Sequence, residues 1–167
     1  MLLSGIIDKL QSSTLGIGLL SFFFCQATDA NINNATAILR GLLYLLFDQQ
    51  PFFILHVRKH YHYAGKKLFE NNNGWVALSE IFTNIMQDPS LESAYLVIDA
   101  LDECENDLPK LLKFIIQILF RFYYIEWIVS NCNWPNIEEM LEIAEQKTKL
   151  NFELNEKSIF STIGTYI

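Results

Sequence analysis

The stretch AYLVIDALDECEND, residues 94–107, holds the strongest fold signal in the chain. An apolar run ends in Asp99, and Asp102, Glu103, Glu105 and Asp107 follow closely. The run is short and rich in strand formers, which predicts a strand buried in a sheet. Carboxylates crowded at a strand end repel one another unless a cation or solvent offsets them. One answer is a magnesium site for a nucleotide. The strand is then apolar because it is buried, and the Asp at its tip holds the metal's water shell beside the phosphates. A second acid a few residues on orients or deprotonates water. The other answer is an acidic loop that is merely solvated.

Apolar strands and helical faces alternate on both sides of this stretch. GIGLLSFFFC at 16–25 and IEWIVS at 125–130 read as buried strands, and KLNFEL at 149–154 as a short one. Leu2, Leu3, Ile6, Ile7 and Leu10 share one helical face. Asn34 is placed to cap a helix to about residue 48, with Ala35, Ile38, Leu39, Leu42 and Leu46 inward. Pro51 suits the start of another helix, to about 62. FENNNG is a turn, and Trp75, Leu78, Ile81, Phe82 and Ile85 form a face that Asp88 and Pro89 end. Residues 108–121 predict an apolar helix buried through Leu108, Leu111, Leu112, Ile115, Ile116 and Leu119. Pro135 opens a further helix, with Glu138 and Glu139 in its first turn, and residues 156–166 form the last. This alternation predicts an α/β fold: a parallel sheet covered by helices on both faces. Ligands of such sheets bind at the carboxyl ends of the strands, where Cys25, Asp99 and Ser130 fall.

The chain has 167 residues, enough for one domain with a real core. Its net charge of −7 argues against nonspecific nucleic-acid binding, which needs a basic face. Three Cys without a CxxC pair suit a reducing compartment, so a cytoplasmic location is expected. No secretory leader is visible, and Lys113, Arg121 and Glu126 interrupt the one apolar run long enough to span a bilayer, so no membrane is expected. His56, His60 and His62 have no acid or Cys at metal-binding spacing and read as exposed surface residues. Cys25, Cys104 and Cys132 read as buried or idle thiols rather than a metal site. Arg58, Lys59, Lys66 and Lys67 read as a solvated face, and Trp75 and Trp134 as packing at helix starts.

Three phrases carry a resemblance: LSFFFCQATDANINNATAILRGLLYLL, VALSEIFTNIMQDPSLESAYLVIDALDEC and WIVSNCNWPNIEE. They resemble the NACHT-type NTPase domain of fungal STAND proteins. These are NOD-like receptors related to heterokaryon-incompatibility proteins, and the domain is also described as nephrocystin-like N-terminal. The resemblance covers residues 2 to 160, nearly the whole chain. It implies a three-layer P-loop-NTPase-like parallel sheet. It also implies Mg-ATP or Mg-GTP as the family's cofactor and control of oligomerisation by nucleotide state.

By that resemblance Asp99 matches the Walker B Asp that holds Mg²⁺ through water. Asp102 and Glu103 match the acids that follow, with Glu103 the water-activating one. Ser130 and Asn131 fall at the end of the sensor strand. Cys132 stands where the family has an Arg, which removes the expected γ-phosphate sensor. The larger departure is in front. The family places a strand and a Gly-x-x-x-x-Gly-Lys-[Ser/Thr] loop just ahead of the helix that here starts at Met1, and no such motif occurs in the 167 residues. The pair Gly65-Lys66 lies mid-chain with no strand before it and is rejected as that loop. The expectation is a single truncated domain over 1–167, with the first strand and P-loop missing, begun at an internal Met and unable to bind or hydrolyse ATP as it stands. No cofactor is expected for this chain. The competing expectation is a non-catalytic remnant that acts through protein contacts, as a homo- or hetero-oligomer with related NACHT proteins.

Overall fold

A computed structural model describes residues 2–12, 18–65 and 74–130. In chain order they form α1 (Leu2–Ser12), β1 (Leu19–Phe24), α2 (Ala35–Gln49), a 3-10 turn at Pro51–Phe53, α3 (Ile54–Ala64), α4 (Gly74–Met86), β2 (Ala94–Asp99), a 3-10 turn at Leu101–Glu103, α5 (Leu108–Arg121) and β3 (Ile125–Val129). The three strands make one parallel sheet in the order β1-β2-β3. Leu19 lies opposite Ala94, and Ala94 opposite Ile125. The strand that ends in Asp99 is therefore the middle one of the three, which is why both of its faces are apolar.

Alternation along the strands splits the core in two. Ala94, Leu96 and Ile98 of β2 join Ile125, Trp127 and Val129 of β3 and the apolar stripes of α2, α4 and α5 in one large cluster. Leu20 and Val97 point the other way and meet Ile6, Ile7 and Leu10 of α1. Helices thus cover both faces of the sheet, as expected.

Local chemistry sets the details. The Asn34 side chain accepts the Ala37 N–H at 2.9 Å and caps α2. Gly41 sits mid-helix because a Cβ there would stand 2.3 Å from the Phe23 ring, so glycine lets α2 lie down on β1. Ser21, buried under α2, donates its hydroxyl to the Leu42 carbonyl at 2.7 Å. Gln49 closes part of the outer edge of β1: its Oε1 accepts the Leu20 N–H at 3.0 Å, and its Nε2 donates to the Leu20 carbonyl at 2.6 Å.

Four expectations change. Of the strand expected over 16–25, Leu19–Phe24 is strand while Gly18 and Cys25 are not. The helix expected to run straight from Pro51 begins instead as a 3-10 turn, closed by the Phe53 N–H on the Gln50 carbonyl at 3.1 Å, and becomes α only at Ile54. On α5, Ile116 is only half-buried, while Phe114 and Ile118 are in the core. The Phe114 ring wins that place through edge contacts with Trp75 and Phe82 at 5.6 and 5.5 Å. The strand expected from residue 125 ends at Val129, one residue before Ser130. Among the described residues no helix is long and apolar enough to cross a membrane. Of the turn expected over 69–74, Gly74 is instead the first residue of α4; the rest of that turn, the helix from Pro135, the KLNFEL strand, the last helix, Asn131, Cys132 and Trp134 lie outside the described residues.

Candidate functional site

The carboxyl rim of the sheet brings Cys25, Asp99 and Ser130 together, one from each strand end. Ser130 donates its hydroxyl to Asp99 Oδ1. The same hydroxyl oxygen accepts the Ala100 N–H at 2.8 Å, and the Ser130 carbonyl accepts the Leu101 N–H at 2.8 Å. Ala100 is left-handed, with φ 54° and ψ 51°, a conformation that costs a non-glycine residue roughly 1 kcal/mol. The two bonds to Ser130 hold it there. That kink turns the chain across the end of β3 and drops Leu101 fully into the core.

The remaining acids are not a bare nest. Glu103 accepts the Ala27 N–H at 2.8 Å through Oε2. Glu105 accepts from the Asn33 amide at 3.1 Å, and Asp107 pairs with Lys110 at 2.9 Å. Asp102 is half-buried and also has an interaction partner. Asn33 is itself buried and ties the two loops together: its Nδ2 reaches the Ala27 carbonyl at 3.0 Å, and its carbonyl takes the Glu105 N–H at 3.0 Å. Glu103 and Glu105 are thus brackets between the loop after β1 and the loop after β2. Ala27 and Asn33, which donate to Glu103 and Glu105, had read only as parts of a polar loop. Their partners lie more than seventy residues away, and no local pattern announces such a pair.

Cys25 and Cys104 are both buried at this rim. Burial, then the neighbouring Cys104 and Glu103, push the Cys25 thiol up to about 12, and burial pushes the Cys104 thiol up to about 11. Both stay protonated at neutral pH, the behaviour of buried rather than reactive thiols. Of the three histidines, His62 is exposed as expected, while His56 and His60 differ from expectation. His56 bonds Asp88 at 2.8 Å and His60 lies 3.7 Å from Glu80, and both rings are half-buried. The acids come from α4 and the turn after it, which spacing within α3 alone does not reveal. Among the described residues no three His, Cys, Asp or Glu side chains converge as a metal-holding group.

Asp99 and Ser130 fit the metal side of a nucleotide site: one carboxylate at a strand tip, oriented by a hydroxyl, suits a hydrated Mg²⁺. The phosphate side does not fit. Phosphates need free backbone N–H groups and a Lys. At this rim the N–H groups of Cys25, Ala27, Ala100 and Leu101 are already given to Asp99 O, Glu103 Oε2, Ser130 Oγ and Ser130 O.

The family model described as "Nephrocystin 3, N-terminal" matches residues 1–130. The chain is 59% identical over 167 residues to the Vegetative incompatibility protein HET-E-1 of Podospora anserina. That match covers 100% of this chain and 12% of the relative, so the chain spans a small part of that protein's length. No solved structure matches the chain. A match over most of the length and an identity this high make the conclusion plain: the chain belongs to the nephrocystin 3 N-terminal family.

Proposed function

We propose that the chain forms the metal-associated half of a NACHT-type nucleotide switch on a P-loop-NTPase-like sheet, and that these 167 residues alone neither bind nor hydrolyse ATP or GTP usefully. The observation that carries this reading is Asp99 at the carboxyl end of the middle strand, held by Ser130 from the end of the next. In the reading Asp99 is the Walker B acid, Ser130 and Asn131 the sensor-strand end, and Asp102 and Glu103 the acids beyond the metal. The high identity to a vegetative incompatibility protein supports a place in a fungal STAND receptor, working in the cytoplasm and oligomerising with related NACHT proteins.

The missing half is a matter of magnitude. A P-loop supplies several N–H donors and a Lys, each worth about 1.5–3 kcal/mol toward a charged group. Losing three or more weakens binding by roughly four to six decades, enough to turn micromolar affinity into none. A second reading, a non-catalytic module that acts through protein contacts, is favoured by Glu103, whose carboxylate is engaged with Ala27.

Placing a strand and a Gly-x-x-x-x-Gly-Lys-Thr loop ahead of Met1 tests the first reading. The extended chain is expected to bind Mg-ATP or Mg-GTP at micromolar affinity by calorimetry, with the magnesium dependence lost in Asp99→Asn. An extended chain that binds neither nucleotide contradicts the reading, as does an Asp99→Asn variant that responds to magnesium like its parent.

A further inference from the structure

A groove runs along the surface between α4 and α5 and meets the rim only at Asp107. Ser79 and Thr83 stand along its α4 wall, and Lys113, Gln117 and Arg121 along its α5 wall. Both sets recur at helical spacing, so each is one stripe of its helix. Two adjoining hollows of about 500 and 460 Å³ share Ser79, Phe114 and Gln117. The floor is apolar: Phe114 is 7% exposed and lies against Trp75.

The charges of this groove are unevenly matched. Of its acids, Asp107 is paired with Lys110 at 2.9 Å and Glu80 lies 3.7 Å from His60. On the α4 wall the hydroxyls are turned to their own helix: Ser79 donates to the Val76 carbonyl at 2.9 Å and Thr83 to the Ser79 carbonyl at 2.7 Å. Lys113 and Arg121 are exposed and have no acidic partner among the described residues. Arg121 is steadied by its guanidinium over the Phe122 ring at 5.4 Å. Two cations with no acidic partner among the described residues thus stand on one helix face, in a chain that has 19 acids and 12 bases. They are eight residues apart, about 12 Å along the helix.

We infer that the α4–α5 groove is a docking surface for an acidic amphipathic helix of a partner protein. Carboxylates about two turns apart on that helix reach Lys113 and Arg121, while an apolar side chain between them settles on Phe114. The groove is too open for a small-molecule pocket, which is enclosed. The inference does not depend on the nucleotide reading: of the rim acids only Asp107 borders the groove, and it is already paired with Lys110, while Lys113, Phe114 and Arg121 have no part in that reading.

Fluorescence anisotropy on the 167-residue chain tests it, with a labelled helical peptide of about 14 residues that carries Glu two turns apart and Leu between. The peptide is expected to bind, to bind more weakly as salt rises, and to lose at least about tenfold in affinity with K113E/R121E. R58E, an exposed change on α3 outside the groove, is expected to leave binding unchanged. Should the double reversal lower the thermal midpoint, K113Q/R121Q removes the charges more gently and is expected to show the same direction of loss. No binding of the acidic peptide overturns the inference. So does an equal loss in R58E, equally tight binding of a charge-matched single-stranded DNA, or a dimer in sedimentation that the double reversal dissolves.

Discussion

At the carboxyl rim of the sheet and along the α4–α5 groove, charges of opposite sign meet opposite fates. At the rim, Asp99, Glu103, Glu105 and Asp107 crowd the sequence, yet each bonds a partner within the chain. In the groove, Lys113 and Arg121 are scattered in the sequence, yet both face solvent without an acid beside them among the described residues. Density of charge along a chain says little about which charges remain for a ligand. What decides is whether the fold brings a donor or acceptor to them, and for Asp99, Glu103 and Glu105 the donors come from 31, 76 and 72 residues away. Where the pairing is complete, the charge stabilises loops. Where it is absent, the charge is left for a partner.

The sharpest way to break this contrast is through what lies under the groove. Phe114 serves both as groove floor and as core, between Trp75 and Phe82. Phe114→Ala is expected to cost about 3–5 kcal/mol in urea unfolding. A loss below about 1 kcal/mol means that the floor is surface and not core. The rim comes next. Glu103→Ala strips the partner from the Ala27 N–H and is expected to cost about 1–3 kcal/mol. Lys113→Ala, its counterpart in the groove, is expected to stay within about 0.5 kcal/mol. Equal effects from the two would erase the distinction between bonded and unbonded charge.

The smallest effect concerns a third charge, at the end of α4. Asp88 is held below its ordinary value chiefly by the Ser90 hydroxyl, with the Ser90 N–H and His56 adding to it and partial burial opposing. Its folded value is depressed, so its stabilisation is present above the unfolded value near 4 and is lost as pH falls through the folded one. Asp88→Asn is expected to cost less than about 1 kcal/mol at pH 7, and the gap from the parent is expected to close on acidification below about pH 4. A gap that persists at low pH would show that Asp88 acts through its shape rather than its charge.

Much of the fold is legible in the residues. AYLVID is strand over the expected six residues, and α5 starts and ends where its apolar stripe does, at Leu108 and Arg121. Asn34 caps as its position suggests. Periodicity and capping are local, and local signals survive folding. Two kinds of feature escape them. One is the choice among neighbours on a helix stripe, where Phe114 takes the place expected for Ile116 because two aromatic rings wait for it. The other is every long-range polar pair: Glu103 with Ala27, Asn33 with Glu105, His56 with Asp88. The candidate site divides along the same line. The strand ends that bring Asp99 and Ser130 together follow from the strand pattern, while the bonds that occupy the rim's N–H groups do not.

The most direct measurement is calorimetric titration of the 167-residue chain with Mg-ATP and with Mg-GTP. Occupied N–H groups at the rim and the absence of a Gly-Lys-[Ser/Thr] loop predict no binding in the micromolar range for either nucleotide. Micromolar binding of one of them would contradict the account at its centre, because phosphate would then be held by groups that the rim does not offer.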